Sequence, residues 1–213
     1  FYNTDRAMVQ SQKTQRERVI DALSHRGMAR LSELLEAGAS ATSVARLERE
    51  GVIVRLGRGL YQLPDAPLEA HHAPAEAAKL VPRGVVCLVS ALAFHELTDH
   101  IPAKVWMAID RKHWKPQVRH PPIQFVRFPA ERLARGVETH TIEGVPVRIT
   151  DPARTIVDLF RYRKSVGQNL AVEGLKEVLR VRKVTPGAVA RLAVEARVWT
   201  VMRPYLEALT IDG

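Results

Sequence analysis

The chain has 213 residues, of which 46% are hydrophobic, with a formal net charge of +9 and a pI of about 10.1. This length and hydrophobicity suit one large domain or two small ones with buried cores, and they exclude wholesale disorder. The positive charge suggests a polyanionic partner such as nucleic acid, although it also fits a soluble basic protein that has no such partner.

The single cysteine, Cys87, excludes an internal disulfide. It lies in the apolar run 85–94, where a small buried core residue is expected. That run is too short to span a bilayer. The first residues lack the basic-then-apolar pattern of a signal peptide, and we expect a reduced, cytoplasmic setting.

Three short helices are predicted near the N-terminus, over residues 14–26, 31–37 and 41–50. The second is expected to turn Leu31, Leu34 and Leu35 inward and to end at Gly38, since glycine accepts a left-handed conformation. Ser40 is the expected N-cap of the third helix. Three helices joined by tight turns indicate a helix-turn-helix arrangement.

Two strands are predicted directly after the third helix, over residues 52–56 and 60–63, because apolar and other side chains alternate there. Gly57-Arg58 is the expected two-residue turn, with Gly57 first and at positive φ. A hairpin in this position is typical of the winged form of the helix-turn-helix.

Proline and alanine dominate residues 66–76, which are predicted to be a linker between an N-terminal domain, 1–65, and a C-terminal domain, 77–213. The C-terminal domain is expected to contain a helix near 90–98, strands at 104–109, 123–128, 137–142 and 145–150, and helices at 152–164, 169–182, 186–197 and 199–209. The fold class is therefore α+β: a winged helix-turn-helix domain, then a mixed domain with a small sheet and several C-terminal helices.

A winged helix-turn-helix places its third helix in the major groove of DNA. Thr42, Ser43 and Arg46 lie near the start of that helix. Arg46 is expected to make a bidentate contact to guanine, and the two hydroxyls to contact phosphates or methyl groups. Phosphate positioning is expected of three further arginines, Arg49, Arg55 and Arg58. Solvated surface arginines, or a protein-binding module, would give the same pattern.

Most of the positive charge lies outside the predicted winged helix-turn-helix domain, residues 1–65. Residues 1–65 hold ten Lys+Arg and eight Asp+Glu, a formal charge of +2, which leaves +7 for the remainder. Aromatic Trp114 and Tyr162 are interleaved with cations that form a possible secondary basic surface: Arg111, Lys112, Lys115, Arg119, Arg161, Arg163 and Lys164. A third cluster lies at 180–183. Each cluster alone fits a solvated face, but together they predict a C-terminal domain that contacts DNA or an acidic partner.

Signals for catalysis are weak. Asp110 and Lys112 at a strand end could belong to a metal nuclease, but no second carboxylate stands at motif spacing. Arg154 and Asp158, four residues apart on one helix, are expected to form a stabilising pair. We predict no catalytic residue, metal ligand or cofactor.

Four segments carry a resemblance to a known family: EREGVIVRLGRGLYQLP (48–64), VVCLVSALAFHELTDHIPAKVWMAI (85–109), DPARTIVDLFRYRKSVG (151–167) and VTPGAVARLAVEARVWTVMRPYLEAL (184–209). With these segments in this order, the chain resembles the AbiEi family, antitoxins and transcriptional regulators of type IV toxin–antitoxin systems, over roughly 14–209.

The resemblance implies a winged helix-turn-helix joined to an antitoxin domain, with no enzymatic activity. It implies repression of the protein's own operon through inverted repeats, and the helix–wing pattern predicts that a homodimer or a cooperative pair occupies them. It also implies opposition to a nucleotidyltransferase-like toxin, in phage defence, without a stable complex. The alternative is an interaction protein whose basic C-terminal domain directly neutralises an acidic toxin or RNA.

Overall fold

The computed structural model describes residues 13–67 and 70–211, and the chain divides after Pro67 into two compact units. Both helices and strands occur in each unit, so the α+β class is confirmed. No helix within the described ranges is long and apolar enough to cross a lipid bilayer.

The first unit has the element order of a winged helix-turn-helix. Its elements are α1 (Gln15–Arg26), β1 (Met28–Arg30), α2 (Leu31–Glu36), α3 (Ala41–Arg49), β2 (Val54–Gly57) and β3 (Leu60–Gln62). The sheet has the order β1-β3-β2 with antiparallel pairing throughout. The β2–β3 hairpin, residues 54–62, is called the wing below.

Local sequence signals explain most of this unit. A capping box begins α1: the Glu17 N–H donates to the Thr14 hydroxyl at 3.2 Å, and the Thr14 N–H donates to the Glu17 carboxylate at 2.7 Å. Gly38 follows α2 at a φ of +87°, as its predicted role requires. The three helices and the sheet then enclose a small core that includes Val19, Leu23, Leu34, Val44, Leu47 and Ile53.

Strand β1 and Leu35 differ from what the sequence of the first unit predicts. Strand β1 was not predicted, because its three residues show no alternation and are strand-like only through pairing with β3. Leu35 was expected inside but is 43% exposed, because Leu34 alone among the α2 residues reaches the fully buried core.

The second unit contains a five-stranded mixed sheet. Its first elements are α4 (His72–Leu80), β4 (Val85–Val86), α5 (Leu88–Phe94), β5 (Val105–Asp110), β6 (Ile123–Phe128), α6 (Ala130–Ala134), β7 (Val137–Ile142) and β8 (Val145–Thr150). The strand order is β6-β5-β4-β8-β7. The β5–β6 and β4–β8 pairs are parallel, and the other two pairs are antiparallel.

Helices complete this unit: α7 (Pro152–Arg161), α8 (Arg163–Val166), α9 (Gln168–Arg180), α10 (Pro186–Glu195) and α11 (Trp199–Ile211). Asp151 caps α7 by accepting the Arg154 N–H at 2.7 Å, and Pro152 occupies the first helical position. One hydrophobic core joins these helices to α5 and the sheet, with Phe128, Phe160, Leu92 and Leu175 among its buried members.

Some predicted elements had different bounds. Helix α4 takes residues 72–76 of the segment 66–76 whose composition predicted a linker, because Ala75 and Ala77 are fully buried. The helix predicted at 90–98 runs instead from 88 to 94, and Glu96 follows it at a φ of +58°. The helix predicted at 152–164 is divided at Tyr162 into α7 and α8.

Candidate nucleic-acid interface

Helix α3 is held in the first unit by one apolar face. Val44 and Leu47 are fully buried. Their spacing of three residues places Thr42, Arg46 and Arg49 on the exposed remainder of the helix. The sequence therefore sets which side chains of α3 face solvent, as a helix that enters a groove requires.

The start of α3 is ordered by a small polar network. The Ser43 N–H donates to the Ser40 hydroxyl at 3.2 Å, and the two hydroxyl oxygens lie 3.1 Å apart. Gln15 of α1 contributes its side-chain oxygen, which accepts the Ser40 N–H at 3.1 Å. Ser43 is half-buried and engaged with the cap, whereas Thr42 is exposed.

The arginines of α3 have only loose partners. Arg46 Nε lies 3.7 Å from a carboxylate oxygen of Glu50, and the other oxygen of Glu50 lies 3.7 Å from Arg16 Nη1. Arg49 Nε donates to the Ala45 carbonyl at 3.3 Å. Exposed ion pairs of this length contribute little stability, about 0–1 kcal/mol, so a phosphate or a base edge could replace them at small cost.

The turn of the wing differs from the prediction. Gly57 was expected to be the first turn residue at positive φ, but it ends β2, and the turn consists of Arg58 and Gly59, with Gly59 at a φ of +68°. An irregularity in the β2–β3 register between Arg55 and Gly57 moves the turn by one residue. Arg58 remains at the tip and is exposed.

The wing is attached at both its strand and its tip. Strand β3 pairs with β1 along Met28–Arg30. At the tip, the Leu31 N–H donates to the Gly59 carbonyl at 2.8 Å. Arg55 is exposed and donates from Nε to the Gly57 carbonyl at 3.1 Å. These contacts hold the two wing arginines beside a fixed backbone.

The loop between β5 and β6 contains the first part of the secondary basic surface. Arg111, Lys112, Lys115 and Arg119 are all exposed. Arg127 fixes the beginning of this loop, because its Nη1 donates to the carbonyls of Asp110, Arg111 and His113 at 3.1, 2.9 and 2.5 Å. Asp110 accepts the Lys112 N–H at 2.8 Å, which is a turn contact. The described residues contain no group of three or more metal-ligating side chains placed to hold an ion.

The second part of that surface is engaged in helix contacts. Arg161 Nη1 donates to the Ala196 carbonyl at 3.0 Å, and Arg163 Nη1 donates to the Phe160 carbonyl at 2.9 Å. Lys164 is exposed. In the third cluster, Arg180 pairs with Glu177 at 2.6 Å, and Lys183 donates to the His95 carbonyl at 2.5 Å. These two clusters therefore serve structure in part, whereas the 111–119 loop presents its charges outward.

The predicted Arg154–Asp158 pair is present and is part of a buried ionic cluster. Asp158 is fully buried, accepts Arg154 Nε at 2.6 Å and also contacts the Arg132 guanidinium. Arg154 further donates to the carbonyls of Arg135 and Arg132, and both guanidiniums lie against the Phe128 ring. Burial raises the pKa of the Asp158 carboxyl, although Arg154 and Arg132 act in the opposite direction. This cluster joins α6 to α7 through the fully buried Asp158 carboxylate.

The lone thiol has the environment that the sequence predicted. Cys87 is fully buried, and burial raises the pKa of its thiol well above the usual range. A thiol in this state is a packing group, since the thiolate is the reactive form.

A comparison with protein-family models gives a match in the first unit. Residues 17–64 match a family model described as "Transcriptional regulator, AbiEi antitoxin". The resemblance seen in the sequence is confirmed over this range, which runs from α1 through the wing. The match indicates a transcriptional regulator or antitoxin, a regulatory role.

The fold has a counterpart among solved structures. The chain is similar to the crystal structure of the RV2827C protein from Mycobacterium tuberculosis, with 16% identity, a TM-score of 0.57, and coverage of 84% of this chain and 71% of that chain. A likeness at this identity shows the fold alone. No curated protein matches the chain.

Proposed function

We propose that this protein is a DNA-binding transcriptional autorepressor and an antitoxin of a type IV toxin–antitoxin system. Its operator contains inverted repeats upstream of its own operon, occupied by a homodimer or a cooperative pair. It opposes a nucleotidyltransferase-like toxin without forming a stable complex with it. The observation that carries the DNA-binding part is the exposed face of α3 beside an anchored wing.

In this proposal α3 enters the major groove, and Arg46 reads a base edge there. Thr42 and Ser43 contact the backbone or a methyl group at the start of the helix. Arg49, Arg55 and Arg58 position the phosphates, with Arg58 close to the minor groove. The tie between Leu31 and Gly59 supports this assignment, because it holds the wing tip still relative to α2.

The experiment is a fluorescence-anisotropy titration of the full chain against the upstream duplex and a scrambled duplex of equal length, at several salt concentrations. A specific repressor binds its operator about a thousandfold more tightly than other DNA. We expect that preference, together with a steep salt dependence from counterion release. Equal binding to both duplexes at every salt concentration would overturn the proposal of specific repression.

The second candidate is an interaction protein whose basic second unit neutralises an acidic toxin or RNA directly. The charge distribution favours it, because the residues after 65 hold +7 of the net charge. A full-length variant with Arg46, Arg55 and Arg58 changed to Ala separates the two candidates. Under the second candidate this variant still protects cells from the toxin and is recovered in a complex with it. Under the main proposal repression is lost and no such complex forms.

A further inference from the structure

The second unit has an apolar groove that neither α3 nor the wing includes. Two distant segments, 80–83 and 109–116, line a cavity of about 370 Å³ there. Its apolar lining is formed by Leu80, Val81, Pro82, Ile109, Trp114 and Pro116. We call this cavity and its rim the Trp114 groove.

Trp114 is 86% exposed, which is unusual for the largest apolar side chain. The backbone beside it is held, because the neighbouring His113 carbonyl accepts a hydrogen bond from Arg127 Nη1 at 2.5 Å. On its other side Lys115 Nζ lies 5.8 Å from the centre of the Phe125 ring. The indole is therefore an exposed flat surface on an anchored loop.

The two segments that form the groove carry a net positive charge. They contain Arg83, Arg111, Lys112 and Lys115 against one carboxylate, Asp110, and Arg119 follows three residues later in the sequence. Arg83 lies in the lining beside Trp114. Asp110 accepts the Lys112 N–H and stays negative, so the two segments together carry a formal net charge of +3, from four cations and one carboxylate. Glu76 is 1% exposed and lies 3.5 Å from His120.

An apolar slot with an exposed indole and a cationic rim fits a ligand that has both flat rings and repeated negative charges. Nucleic acid has both, and its bases reach such a slot only when they are unpaired. We propose that the Trp114 groove binds single-stranded nucleic acid, with one base stacked on Trp114 and the phosphates along Arg83, Lys112 and Lys115. This site is separate from α3 and the wing and does not depend on operator binding.

The test uses the full chain and fluorescein-labelled twelve-nucleotide oligoadenylate as RNA and as DNA, with an oligomer of the same phosphate count that lacks bases. Stacking of one base contributes about 1–3 kcal/mol on alanine substitution, which is a loss of roughly 5- to 150-fold in affinity. We expect Trp114→Ala to show that loss on both base-containing oligomers, and Trp114→Phe to retain most of the affinity. Ile101→Ala, a truncation of another apolar side chain that is 88% exposed, should change nothing.

Some outcomes identify the bound nucleic acid as RNA or DNA, and others contradict the proposed binding. Tighter binding of RNA than of DNA identifies RNA through its 2′-hydroxyl, and the reverse or equal affinity identifies DNA or any single strand. Equal binding of the oligomer without bases, or an unchanged affinity of Trp114→Ala, would overturn the proposal. So would Trp114-dependent binding of a polyglutamate peptide without binding of the oligomers. Operator affinity should be the same in Trp114→Ala and wild type, so the two proposals fail independently.

Discussion

The Leu31 N–H and the Gly59 carbonyl are joined by a 2.8 Å hydrogen bond, which ties the first residue of α2 to the tip of the wing. Gly59 reaches this position at a φ of +68°, a left-handed conformation that costs residues with a Cβ about 1–2 kcal/mol. The glycine thus serves both the turn and the contact between the wing and the helices.

Gly59→Ala should lower the free energy of unfolding by about 1–2 kcal/mol. The added Cβ would lie 3.9 Å from Leu31 Cβ, an ordinary contact, so the cost comes from the backbone conformation alone. Urea unfolding followed by circular dichroism measures it. Gly187→Ala in α10 is the control, because its Cβ would meet only Arg191 Nη1 at 3.8 Å and no positive φ is involved. An unchanged urea midpoint for Gly59→Ala would show that the backbone conformation at this position does not penalise a side chain.

Arg46 and Arg49 lie on the same helix but should differ in what they contribute to DNA binding. Arg46→Ala should weaken operator binding by about 1–3 kcal/mol and reduce the preference over a scrambled duplex, because a base contact is lost. Arg49→Ala should weaken both duplexes alike and lower the salt slope by about 1, because one phosphate contact is lost. Anisotropy titrations at several salt concentrations measure both effects.

The control for these two variants is Arg203→Ala on α11, where the side chain is 59% exposed and paired with Glu207 at 2.7 Å. It removes the same charge at a distant position in the sequence and should leave operator preference unchanged. If Arg46→Ala weakened both duplexes equally, Arg46 would be a phosphate contact and the base reader would have to be sought elsewhere on α3.

Patterns within α3 and the wing could be predicted because they are local. Val44 and Leu47 at helical spacing fix the buried face of α3, so the exposure of Arg46 and Arg49 follows directly. The predicted position of the turn is wrong by one residue, because the sequence Gly-Arg-Gly offers two glycines. The irregular β2–β3 register, a property of the pairing, selects Gly59 over Gly57.

Features that depend on distant partners could not be read from the sequence. Strand β1 exists through its pairing with β3, and α4 buries Ala75 and Ala77 in a stretch whose prolines suggested a linker. The contact between Leu80–Arg83 and the loop around Trp114 is of the same kind. Neither segment has a sequence pattern that predicts its contact with the other. The loop around Trp114 could therefore be recognised as basic and aromatic, but not as one wall of a groove.

The Arg154–Asp158 pair should contribute far more to stability than an exposed pair of the same geometry. Asp158→Ala leaves Arg154 and Arg132 without their carboxylate in a buried site, and we expect a loss of about 3–5 kcal/mol. All three tryptophans, at 106, 114 and 199, lie in the second unit, so their fluorescence during urea unfolding reports on this change.

The matched control is Glu207→Ala. Arg203 and Glu207 are also four residues apart and 2.7 Å from each other, against 2.6 Å for Arg154 and Asp158, but both are more than half exposed. Exposed pairs contribute about 0–1 kcal/mol. Equal losses in the two variants would mean that burial does not set the strength of the Arg154–Asp158 interaction.

His95 should make the second unit less stable in mild acid. Its side chain is 6% exposed and its Nε2 donates to the Thr150 carbonyl at 2.7 Å. Burial lowers its pKa from the ordinary 6.5; Thr150 and Glu138 act to raise it, and His140 and Lys183 to lower it. Because the folded-state pKa lies below the unfolded one, the unfolded chain takes up a proton first as pH falls. Stability is therefore fully present above about pH 6.5 and is lost as pH falls toward the folded-state pKa.

His95→Gln should reduce this pH dependence, because an amide N–H can still donate to Thr150 but does not titrate. The measurement is the free energy of unfolding by tryptophan fluorescence at about pH 7.5 and about pH 5.5, on either side of the usual histidine pKa. Wild type should lose more stability between the two than the variant does. His100→Gln, at an exposed position, should behave as wild type. If His95→Gln kept the full wild-type loss, the acid sensitivity would belong to other groups, and the nearby His140 with its Glu138 partner at 3.0 Å would be the next pair to change.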